Sequence, residues 1–534
     1  MQSTIKRMPA RRLLLLLGAV LAFLYIAWAI PFLLESSVVA IDGRRYFGLF
    51  DDAMISMRYA WNFSHGQGLV WNSGERIEGY TNLLWTLLMS LFTAVLDKPG
   101  AVLAVQITGV AIVLGCCVLV WNLARRVGMD LPERDRLALG VAAVLMTLTY
   151  YPLSHWSLTG METGLLTLLI LAAMIALEGY ARNRGGAGLL PVAVFLGLAY
   201  LTREDSAIFS IPILIYAVTL PSAETDRRVR ARVLLPALGL FLLFPIGREL
   251  FRLLYYGDYL PNTYYLKLTG MPLADRIRDG LGFTSLYLVT HVVFLGVGTL
   301  GCILKPDRRK ILYLTLAVLP ILYQIWVGGD PVRIWRMMTP AQPLAALLFA
   351  LASLELLRQM GASILTPRGP RLFGYMTALA ILTVNFIFTP LILLREDWFP
   401  LDFYRPRINA AVAVNQVTTE DASVAVLAAG VVPYYTDLKA YDMLGKSDAY
   451  IASLPADLSG AVGWGGMNSV PGHNKYDLDY SIKQMRPTYA ETSKWGRQDI
   501  TAWMFDHYAR VNYKGVEMWL LKGSPDVRWE LISQ

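Results

Sequence analysis

The segment Leu13–Leu34, with the sequence LLLLLGAVLAFLYIAWAIPFLL, indicates the class of protein to which this chain belongs. It has 22 consecutive residues without a charged side chain, and about 20 apolar residues suffice for a helix to cross a bilayer. It is also longer than the roughly 7–15-residue apolar region of a secretory signal. Four basic residues precede it: Lys6, Arg7, Arg11 and Arg12. We therefore predict an uncleaved first membrane span with a cytoplasmic N-terminus.

Similar apolar runs recur along most of the chain. Of its 534 residues, 55% are hydrophobic and only 16% are charged, whereas about 25% are charged in ordinary soluble domains. This composition excludes a soluble multi-domain enzyme and a disordered chain. We predict a mainly α, polytopic membrane protein with about eleven spans, ten of them near residues 101–124, 137–153, 163–181, 187–201, 206–220, 233–255, 283–304, 311–327, 338–357 and 372–394.

Basic clusters between the spans set the predicted topology. The net charge of +8 comes largely from short clusters in alternate loops, which is typical of cytoplasmic loops and not of a nucleic-acid-binding stripe. If the short run Asn82–Leu96 crossed the bilayer, the basic loops would no longer all lie on one side. We therefore predict an interfacial or re-entrant helix there. The C-terminus is then expected on the side opposite the cytoplasm, which is the periplasm or its equivalent. The clusters are Arg125/Arg126/Arg134/Arg136, Arg182/Arg184, Arg227/Arg228/Arg230/Arg232, Lys305/Arg308/Arg309/Lys310 and Arg358/Arg368/Arg371.

The composition divides the chain into two parts. Residues 1–394 form the predicted membrane domain, with a long outer loop at 35–100, and residues 395–534 form a small periplasmic α/β domain. In this tail Val424–Val432 has the pattern of a buried strand that ends in a turn at Pro433, and residues 499–509 have the pattern of a short helix.

Three cysteines lie inside apolar runs and are interpreted as buried apolar side chains: Cys116, Cys117 and Cys302.

The long outer loop carries two adjacent carboxylates, Asp51 and Asp52, at the start of a helical pattern. One face of this helix is apolar and suited to the bilayer surface, with Met54, Met57 and Trp61. Another face carries Asp51, Ile55, Arg58 and Asn62. Because adjacent acids repel, one of the pair is expected to have a raised pKa or a cationic partner. The alternative is that both acids simply begin the helix and stabilise its N-terminal dipole.

The shorter outer loops are also polar at the membrane edge. Each one alone is compatible with interfacial anchoring by aromatic and basic side chains. Together they place a set of charged residues on one membrane face: Asp51, Glu162, Arg203, Lys267, Asp330 and Arg336. An anionic, lipid-linked substrate would explain this set, since cations bind phosphate and carboxylates transfer protons.

The run FDDAMISMRYAWNFSHGQGLVWNSGERIEGYTNLLW at 50–85 resembles the first outer loop of GT-C glycosyltransferases. The resemblance is strongest to the terminal arabinofuranosyltransferases of actinobacterial cell walls and their bacterial relatives. Further stretches are similar to the same family in the same order: GMET at 160–163, LTRED at 201–205, YYGDYLPNTYYLK at 255–267, VGGDPVRIWRMMTPAQP at 327–343, GVVPYYTDLKAYDMLG at 430–445 and PGHNKYDLDY at 471–480.

The resemblance implies an inverting transfer of a sugar, arabinofuranose first, from a polyprenyl-phosphate donor such as decaprenyl-phosphate arabinose to a glycan acceptor. It implies Asp51 as general base, with Asp52 as its neighbour in the catalytic pair. Contacts to the donor phosphate or sugar are expected from Arg58, Glu78, Tyr80, Glu162, Arg203, Lys267, Asp330, Arg336 and His473. For His473 the alternative is a local hydrogen-bonding role, which is the more common one for a lone histidine in a loop. A divalent metal at the two aspartates and the identity of the acceptor stay open.

A transporter or flippase of lipid-linked sugars is the alternative function. Such proteins tend to show inverted repeats and charges at mid-membrane, whereas the unusual charges here cluster at the outer ends of the spans. The exceptions, Arg248, Glu249 and Arg252, are interpreted as an inter-span pair near the outer face. A third possibility, a membrane-anchored sensor, leaves the outer-loop motifs unexplained.

Overall fold

The computed structural model describes residues 10–183, 189–220, 227–361, 364, 366, 368–394, 401–463, 467 and 469–532. The first part of the chain is helical apart from a small hairpin, β1 (Ser37–Val39) with β2 (Arg45–Phe47), after the first helix. Its helices are α1 (Ala10–Glu35), α2 (Asp51–Ser64), α3 (Leu83–Thr93), α4 (Lys98–Val127), α5 (Glu133–Leu148), α6 (Tyr151–Leu158), α7 (Thr163–Asn183), α8 (Leu189–Thr202), α9 (Ala207–Thr219), α10 (Arg227–Tyr256), α11 (Asn262–Leu268), α12 (Leu273–Leu304), α13 (Arg308–Val327), α14 (Gln342–Gln359) and α15 (Gly369–Asn385).

The described helices confirm a multi-pass membrane protein. Eight of them are long and apolar enough to cross a bilayer, and the pair α5 and α6, bent by 50°, counts as a ninth. The other two predicted spans correspond to α8 and α9, which have 14 and 13 described residues and fall short of membrane-spanning length. Eleven predicted positions therefore carry apolar helices, and two of these helices have fewer than 18 described residues. The 11-residue α3 is about 16 Å long, which agrees with an interfacial helix.

The predicted basic clusters meet at one end of the helix bundle. Arg309 Nε lies 3.0 Å from a Glu178 oxygen, and the Arg309 guanidinium also donates to the carbonyl of Val127. Arg358 pairs with Asp135 at the same end. The opposite end, which we call the α2 end, carries α2, α3 and α11. Three of the predicted clusters, at 125–136, 305–310 and 358–371, thus lie at one end. The full alternation of loops and the cytoplasmic side stay predictions.

The C-terminal unit, residues 401–532, is a small α/β structure at the α2 end. Its helices are α16 (Leu401–Val417), α17 (Val431–Thr436), α18 (Ala449–Ser453) and α19 (Thr501–His507). Its strands are β3 (Ser423–Val426), β4 (Lys439–Asp442), β5 (Tyr489–Ala490), β6 (Lys494–Trp495), β7 (Gln498–Asp499), β8 (Tyr508–Tyr513) and β9 (Val516–Leu521). Five strands form a sheet in the order β4-β3-β5-β9-β8, with β3 parallel to both of its neighbours.

The strand predicted over Val424–Val432 was only half right. The strand ends at Val426, and residues 431–436 form α17 with Pro433 inside it. Pro433 is tolerated because the first turn of a helix has no intrahelical partner for its N–H groups. The helix predicted at 499–509 is present as the shorter α19.

The prediction that α2 lies with an apolar face on the bilayer was wrong. Met54 and Met57 are both 0% exposed, and the Trp61 ring meets Tyr434 of α17 edge to face. One continuous core contains Ala53 of α2, Leu348 of α14 and Val432 of α17. The C-terminal unit therefore covers α2, a contact between distant parts of the chain that helical periodicity cannot reveal.

Candidate active site

A cavity of about 620 Å³ lies at the α2 end, between the helix bundle and the C-terminal unit. Its walls are the N-terminus of α2, the loops before α7, α9 and α14, the helix α11, and parts of the C-terminal unit. The volume falls within the roughly 300–1,000 Å³ of small-molecule sites. Nine of the eleven residues expected at the site line this cavity: Asp51, Asp52, Tyr80, Glu162, Arg203, Lys267, Asp330, Arg336 and His473.

Asp51 is the first residue of α2 and faces the cavity. Its Oδ1 accepts a hydrogen bond from the backbone N–H of Gly430, at 3.0 Å. Burial raises the pKa of Asp51 to about 6, although Lys446 opposes this shift. A carboxylate with such a pKa is ionised at neutral pH and can still accept a proton, as a general base requires.

Asp52 has the opposite environment, although it is the next residue. Its Oδ2 accepts from Arg336 Nη1 at 3.1 Å, and its Oδ1 is paired with the ammonium group of Lys446. Burial alone would raise the pKa of Asp52, but Lys446, Arg336 and Lys267 outweigh it and hold this pKa well below its usual range. Two adjacent carboxylates whose pKa values are driven apart are typical of sites with separate proton-transfer and electrostatic roles. Both acids also begin α2, so the helix-start interpretation is correct as well.

Arg336 connects Asp52 to a second carboxylate. Its Nη2 donates to Asp330 at 2.9 Å, and its guanidinium lies 5.6 Å from the centre of the Trp156 ring. The Nε of Arg336 is buried and has no hydrogen-bond acceptor among the described residues. The guanidinium is therefore fixed in place by two acids and an aromatic ring.

Lys267 of α11 is a cation of the cavity wall that forms neither a hydrogen bond nor an ion pair with the residues described. Burial lowers the pKa of Lys267 to about 8, against the attraction of Asp52. The ammonium group is thus positively charged at neutral pH and available to an anion.

Another wall carries two carboxylates that are hydrogen-bonded to Arg203. Glu162 pairs with Arg203 and accepts from Asn82 Nδ2 at 3.0 Å. Arg203 also binds both oxygens of Asp205, at 2.9 and 2.8 Å. Tyr80 completes this wall and accepts from Tyr256 Oη at 3.2 Å. Carboxylates beside aromatic rings are groups that can bind sugar hydroxyls and pack against a sugar ring.

His473 reaches the cavity from the C-terminal unit. Its Nδ1 lies 3.2 Å from the carbonyl oxygen of Pro471, which is the local hydrogen bond of the alternative interpretation. Burial and the charge of Lys446 lower the pKa of His473 to about 4, so the ring is neutral at physiological pH.

The structure places the remaining two expected site residues outside the cavity. Arg58 is 3% exposed, donates to the carbonyl of Trp71, and pairs with Asp437 at 2.6 Å. It lies two turns along α2 from Asp51, about 10 Å away, which is too far for a shared ligand phosphate. Glu78 is buried between Arg248 and Arg252 of α10. We assign neither residue a role in donor binding. Arg248 and Arg252 do form ion pairs, but their partners Glu78 and Glu204 belong to loops and not to another span, so the expected pairing between spans was wrong in its partners.

Glu78→Gln should lower the free energy of unfolding by about 3 kcal/mol, because loss of one member of a buried ion pair leaves uncompensated charge. Glu78 is 2% exposed and bonds Arg252 Nε at 2.6 Å. Thermal unfolding of the detergent-solubilised protein measures this. Glu517→Gln is the matched control, since the Glu517–Arg510 pair is exposed and such pairs contribute little. Equal midpoints for the two variants would contradict the expectation.

Sequence reasoning missed three contributors from the C-terminal unit. Lys446 pairs with Asp52, Gly430 donates to Asp51, and the charge of Arg407 lowers the pKa of Asp51. Gly430 and Lys446 lie at the start of the motif GVVPYYTDLKAYDMLG and directly after its end. The motif was the available signal, but nothing local distinguishes this lysine from an exposed one.

The donor set does not fit a divalent metal ion. The part of the chain that the structure describes contains no group of three His, Cys, Asp or Glu side chains arranged to hold one. Both oxygens of Asp52 already accept from cationic side chains. We therefore derive the chemistry from the protein side chains.

Comparisons with known proteins match both parts of the chain. Residues 82–247 match the family described as dolichyl-phosphate-mannose-protein mannosyltransferase, and residues 401–530 match a domain of unknown function (DUF8728). A terminal β-(1→2)-arabinofuranosyltransferase of Mycobacterium tuberculosis is 27% identical over 283 residues, covering 51% of this chain and 43% of the relative. The protein of the same description from Corynebacterium glutamicum is 24% identical over 322 residues, covering 52% and 44%. The chain spans less than half the length of these curated relatives.

Solved structures match nearly the whole chain. ArnT from Cupriavidus metallidurans bound to undecaprenyl phosphate has a TM-score of 0.57 at 11% identity, covering 95% of this chain and 98% of that one. Arabinofuranosyltransferase AftD from Mycobacteria has a TM-score of 0.52 at 14% identity, covering 97% and 40%. At such identities the likeness establishes the fold alone.

The helix bundle with its outer loop and C-terminal unit therefore has the fold of ArnT and AftD. The sequence is similar to the terminal arabinofuranosyltransferases over about half of its length.

Proposed function

We propose that this protein is an inverting membrane glycosyltransferase that moves a sugar, arabinofuranose first, from a polyprenyl phosphate to a hydroxyl of an extracytoplasmic glycan. The observation that carries the proposal is the cavity at the α2 end. It combines a carboxylate that can take a proton, Asp51, with two cations: Lys267, which forms no ion pair with any described residue, and Arg336, which is fixed by its acidic partners. The bound undecaprenyl phosphate of ArnT supports a lipid phosphate as ligand of this fold.

In the proposed reaction the acceptor hydroxyl gives its proton to Asp51 while its oxygen bonds to the anomeric carbon. The bond between that carbon and the phosphate oxygen breaks, and its electron pair stays on the phosphate. Polyprenyl phosphate thus leaves with one more negative charge, which Lys267 and Arg336 stabilise. No general acid is needed, because this leaving group is already a stable anion; glycoside hydrolysis differs in using two carboxyl groups.

Asp52 has an electrostatic role in this scheme. Its ionised carboxylate holds Arg336 on one side and Lys446 on the other. The acidic wall around Glu162 and Asp205 is available for sugar hydroxyls, and the cations for the phosphate, so the charges orient the donor along the cavity.

We place the α2 end outside the cytoplasm of a bacterial inner membrane. The arginine clusters meet at the other end of the bundle, and such clusters remain on the cytoplasmic side. An N-terminus in the cytoplasm and a C-terminal unit in the periplasm follow. The bilayer then delivers the lipid-linked donor, while the acceptor glycan reaches the cavity from the C-terminal unit.

The pH dependence of kcat/KM should be bell-shaped, since this quantity reports the free enzyme. The rate rises with pH through about 6 as Asp51 loses its proton, and it falls above about 8 as Lys267 loses its charge. Lys267→Arg should move the alkaline limb to higher pH and leave the acid limb in place. A profile that is flat between about pH 5 and 9 would contradict both assignments.

Transfer assays with purified full-length protein test the proposal. Synthetic polyprenyl-phosphate sugars, arabinofuranose first, are incubated with arabinan oligosaccharides, and the products are read by mass spectrometry. Transfer supports the glycosyltransferase. Movement of the intact donor across proteoliposomes without transfer would favour the flippase.

A further inference from the structure

The C-terminal unit contacts both carboxylates at the start of α2. Gly430, directly before α17, donates its backbone N–H to Asp51 Oδ1 at 3.0 Å. Lys446, in the loop after β4, pairs with Asp52 Oδ1. These contacts join residues about 380 and 390 positions apart in sequence. They belong to a unit that matches a family of unknown function.

Gly430 sits against Asp51 with no space for a side chain. A Cβ at this position would lie 2.5 Å from the Asp51 carbonyl oxygen, 2.6 Å from Met54 Cβ and 2.7 Å from Asp51 Oδ1. Two of these atoms belong to the backbone or to a fully buried core residue. Alanine at 430 would therefore displace either α17 or the Asp51 carboxylate.

The loop that carries Lys446 is held from both parts of the molecule. The buried carboxylate of Asp442 accepts from the backbone N–H groups of Leu444, Gly445 and Ser447 at 3.0, 3.1 and 2.8 Å. From the membrane part, Asn262 Nδ2 donates to the carbonyls of Gly445 and Lys446 at 2.8 and 3.0 Å. A loop with this many anchors fixes the direction in which Lys446 points, and the lysine side chain is only 14% exposed.

We infer that the C-terminal unit is a working part of the active site, in which Lys446 and the Gly430 backbone N–H act as positioning groups for the carboxylates of α2. This inference rests on the proposed function and deepens it. Lys446 keeps Asp52 ionised and oriented toward Arg336, and Gly430 fixes the Asp51 oxygen that takes the proton. The C-terminal unit thereby contributes directly to the site at the start of α2.

The pH test must consider every charged or titratable group around the pair. Asp51 and Asp52 are faced by Lys446 from the β4 loop, Arg407 and Tyr404 from α16, Arg336 from the loop before α14, Lys267 from α11 and His473 from the C-terminal unit. Lys446 and the Gly430 N–H both lower the pKa of Asp51. Removing either one should raise this pKa and move the acid limb of kcat/KM to higher pH.

The experiment compares Lys446→Met, Lys446→Arg and the control Lys439→Met in the full-length protein. Lys439 is on β4 of the same unit, where it forms an exposed pair with Glu75. We expect Lys446→Met to shift the acid limb upward by about one pH unit and to lower kcat/KM at pH 6 by about 10- to 100-fold, the range of a charge-assisted hydrogen bond. Lys446→Arg should restore most of the rate, and Lys439→Met should match the wild type. Identical profiles for the two methionine variants would overturn the inference for Lys446.

Gly430→Ala tests the second contact. Its control is Gly374→Ala, where an added Cβ would meet nothing within 4 Å. We expect an upward shift of the acid limb and a lower kcat for Gly430→Ala alone. If its profile equals that of the control, the positioning role of Gly430 is wrong.

An activity-free measurement separates this inference from the proposed function. Infrared titration of the detergent-solubilised protein follows the carboxyl band of Asp51, assigned by its loss in Asp51→Asn. If the pKa of Asp51 is higher in Lys446→Met, but the preparation transfers no sugar from any donor, the positioning contact is retained and only the glycosyltransferase proposal is overturned. If this pKa is unchanged in a protein that does transfer sugar, the positioning role is overturned and the glycosyltransferase proposal is retained.

Discussion

Asp51→Asn should lower kcat by about 10³-fold, since a general base contributes roughly 10²- to 10⁴-fold to a rate. Asparagine has nearly the shape of aspartate, and its Oδ1 can still accept from the Gly430 N–H. It cannot take the acceptor proton, so the donor is bound but not attacked. KM for the donor should change little, because the proposed reaction assigns Asp51 to the acceptor hydroxyl and not to the phosphate. Initial rates with a synthetic polyprenyl-phosphate sugar measure the effect.

The control for this variant is Asp42→Asn. Asp42 belongs to the same outer loop but is exposed, where it accepts from Tyr46 Oη at 2.8 Å. Its substitution should leave the rate unchanged. A kcat for Asp51→Asn within a few-fold of the wild type would remove Asp51 from the mechanism and leave the raised pKa without a catalytic purpose.

Lys267→Met should lower kcat/KM for the donor by about 10- to 100-fold at pH 7, the range of a hydrogen bond to a charged group. This lysine provides a direct test of the phosphate contact. Because it forms no ion pair with the described residues, its removal leaves no protein carboxylate without a partner. Arg336→Met would be less informative, since Asp52 and Asp330 would both lose a bonded cation.

Two further variants complete that test. Lys267→Arg retains the charge and should keep most of the activity. Lys305→Met, at the other end of the bundle, removes a cation that is 72% exposed and should have no effect. If Lys267→Met also leaves donor KM and kcat unchanged, the phosphate does not bind at this end of the cavity.

The membrane architecture was predictable because hydropathy acts locally. The length and apolar composition of a run such as Leu13–Leu34 suffice to predict a membrane span. The eleven predicted positions all carry apolar helices. The prediction that the short helix α3 does not span came from charge alternation, which uses the whole chain; its interfacial position stays a prediction.

The site was predictable only where its residues belong to motifs near membrane ends. Nine of the eleven residues expected from these motifs line one cavity. Arg58 was misplaced because helical spacing gives the face of a helix but not its neighbours, and that face meets Asp437 of the C-terminal unit. Lys446 and Gly430 were missed for the same reason, because their partners lie about 380 or more residues away. Contacts of this range depend on tertiary packing, which no local pattern encodes.

The most direct test of the central claim is a single-turnover reaction of the purified protein with a polyprenyl-phosphate arabinofuranose of defined anomeric configuration and an arabinan oligosaccharide. Release of polyprenyl phosphate and the configuration of the new linkage, read by NMR, are followed in the wild type and in Asp51→Asn. The account predicts one linkage of inverted configuration per donor consumed by the wild type, and a donor that stays intact with Asp51→Asn. Retained configuration, or equal transfer by the two proteins, would contradict it.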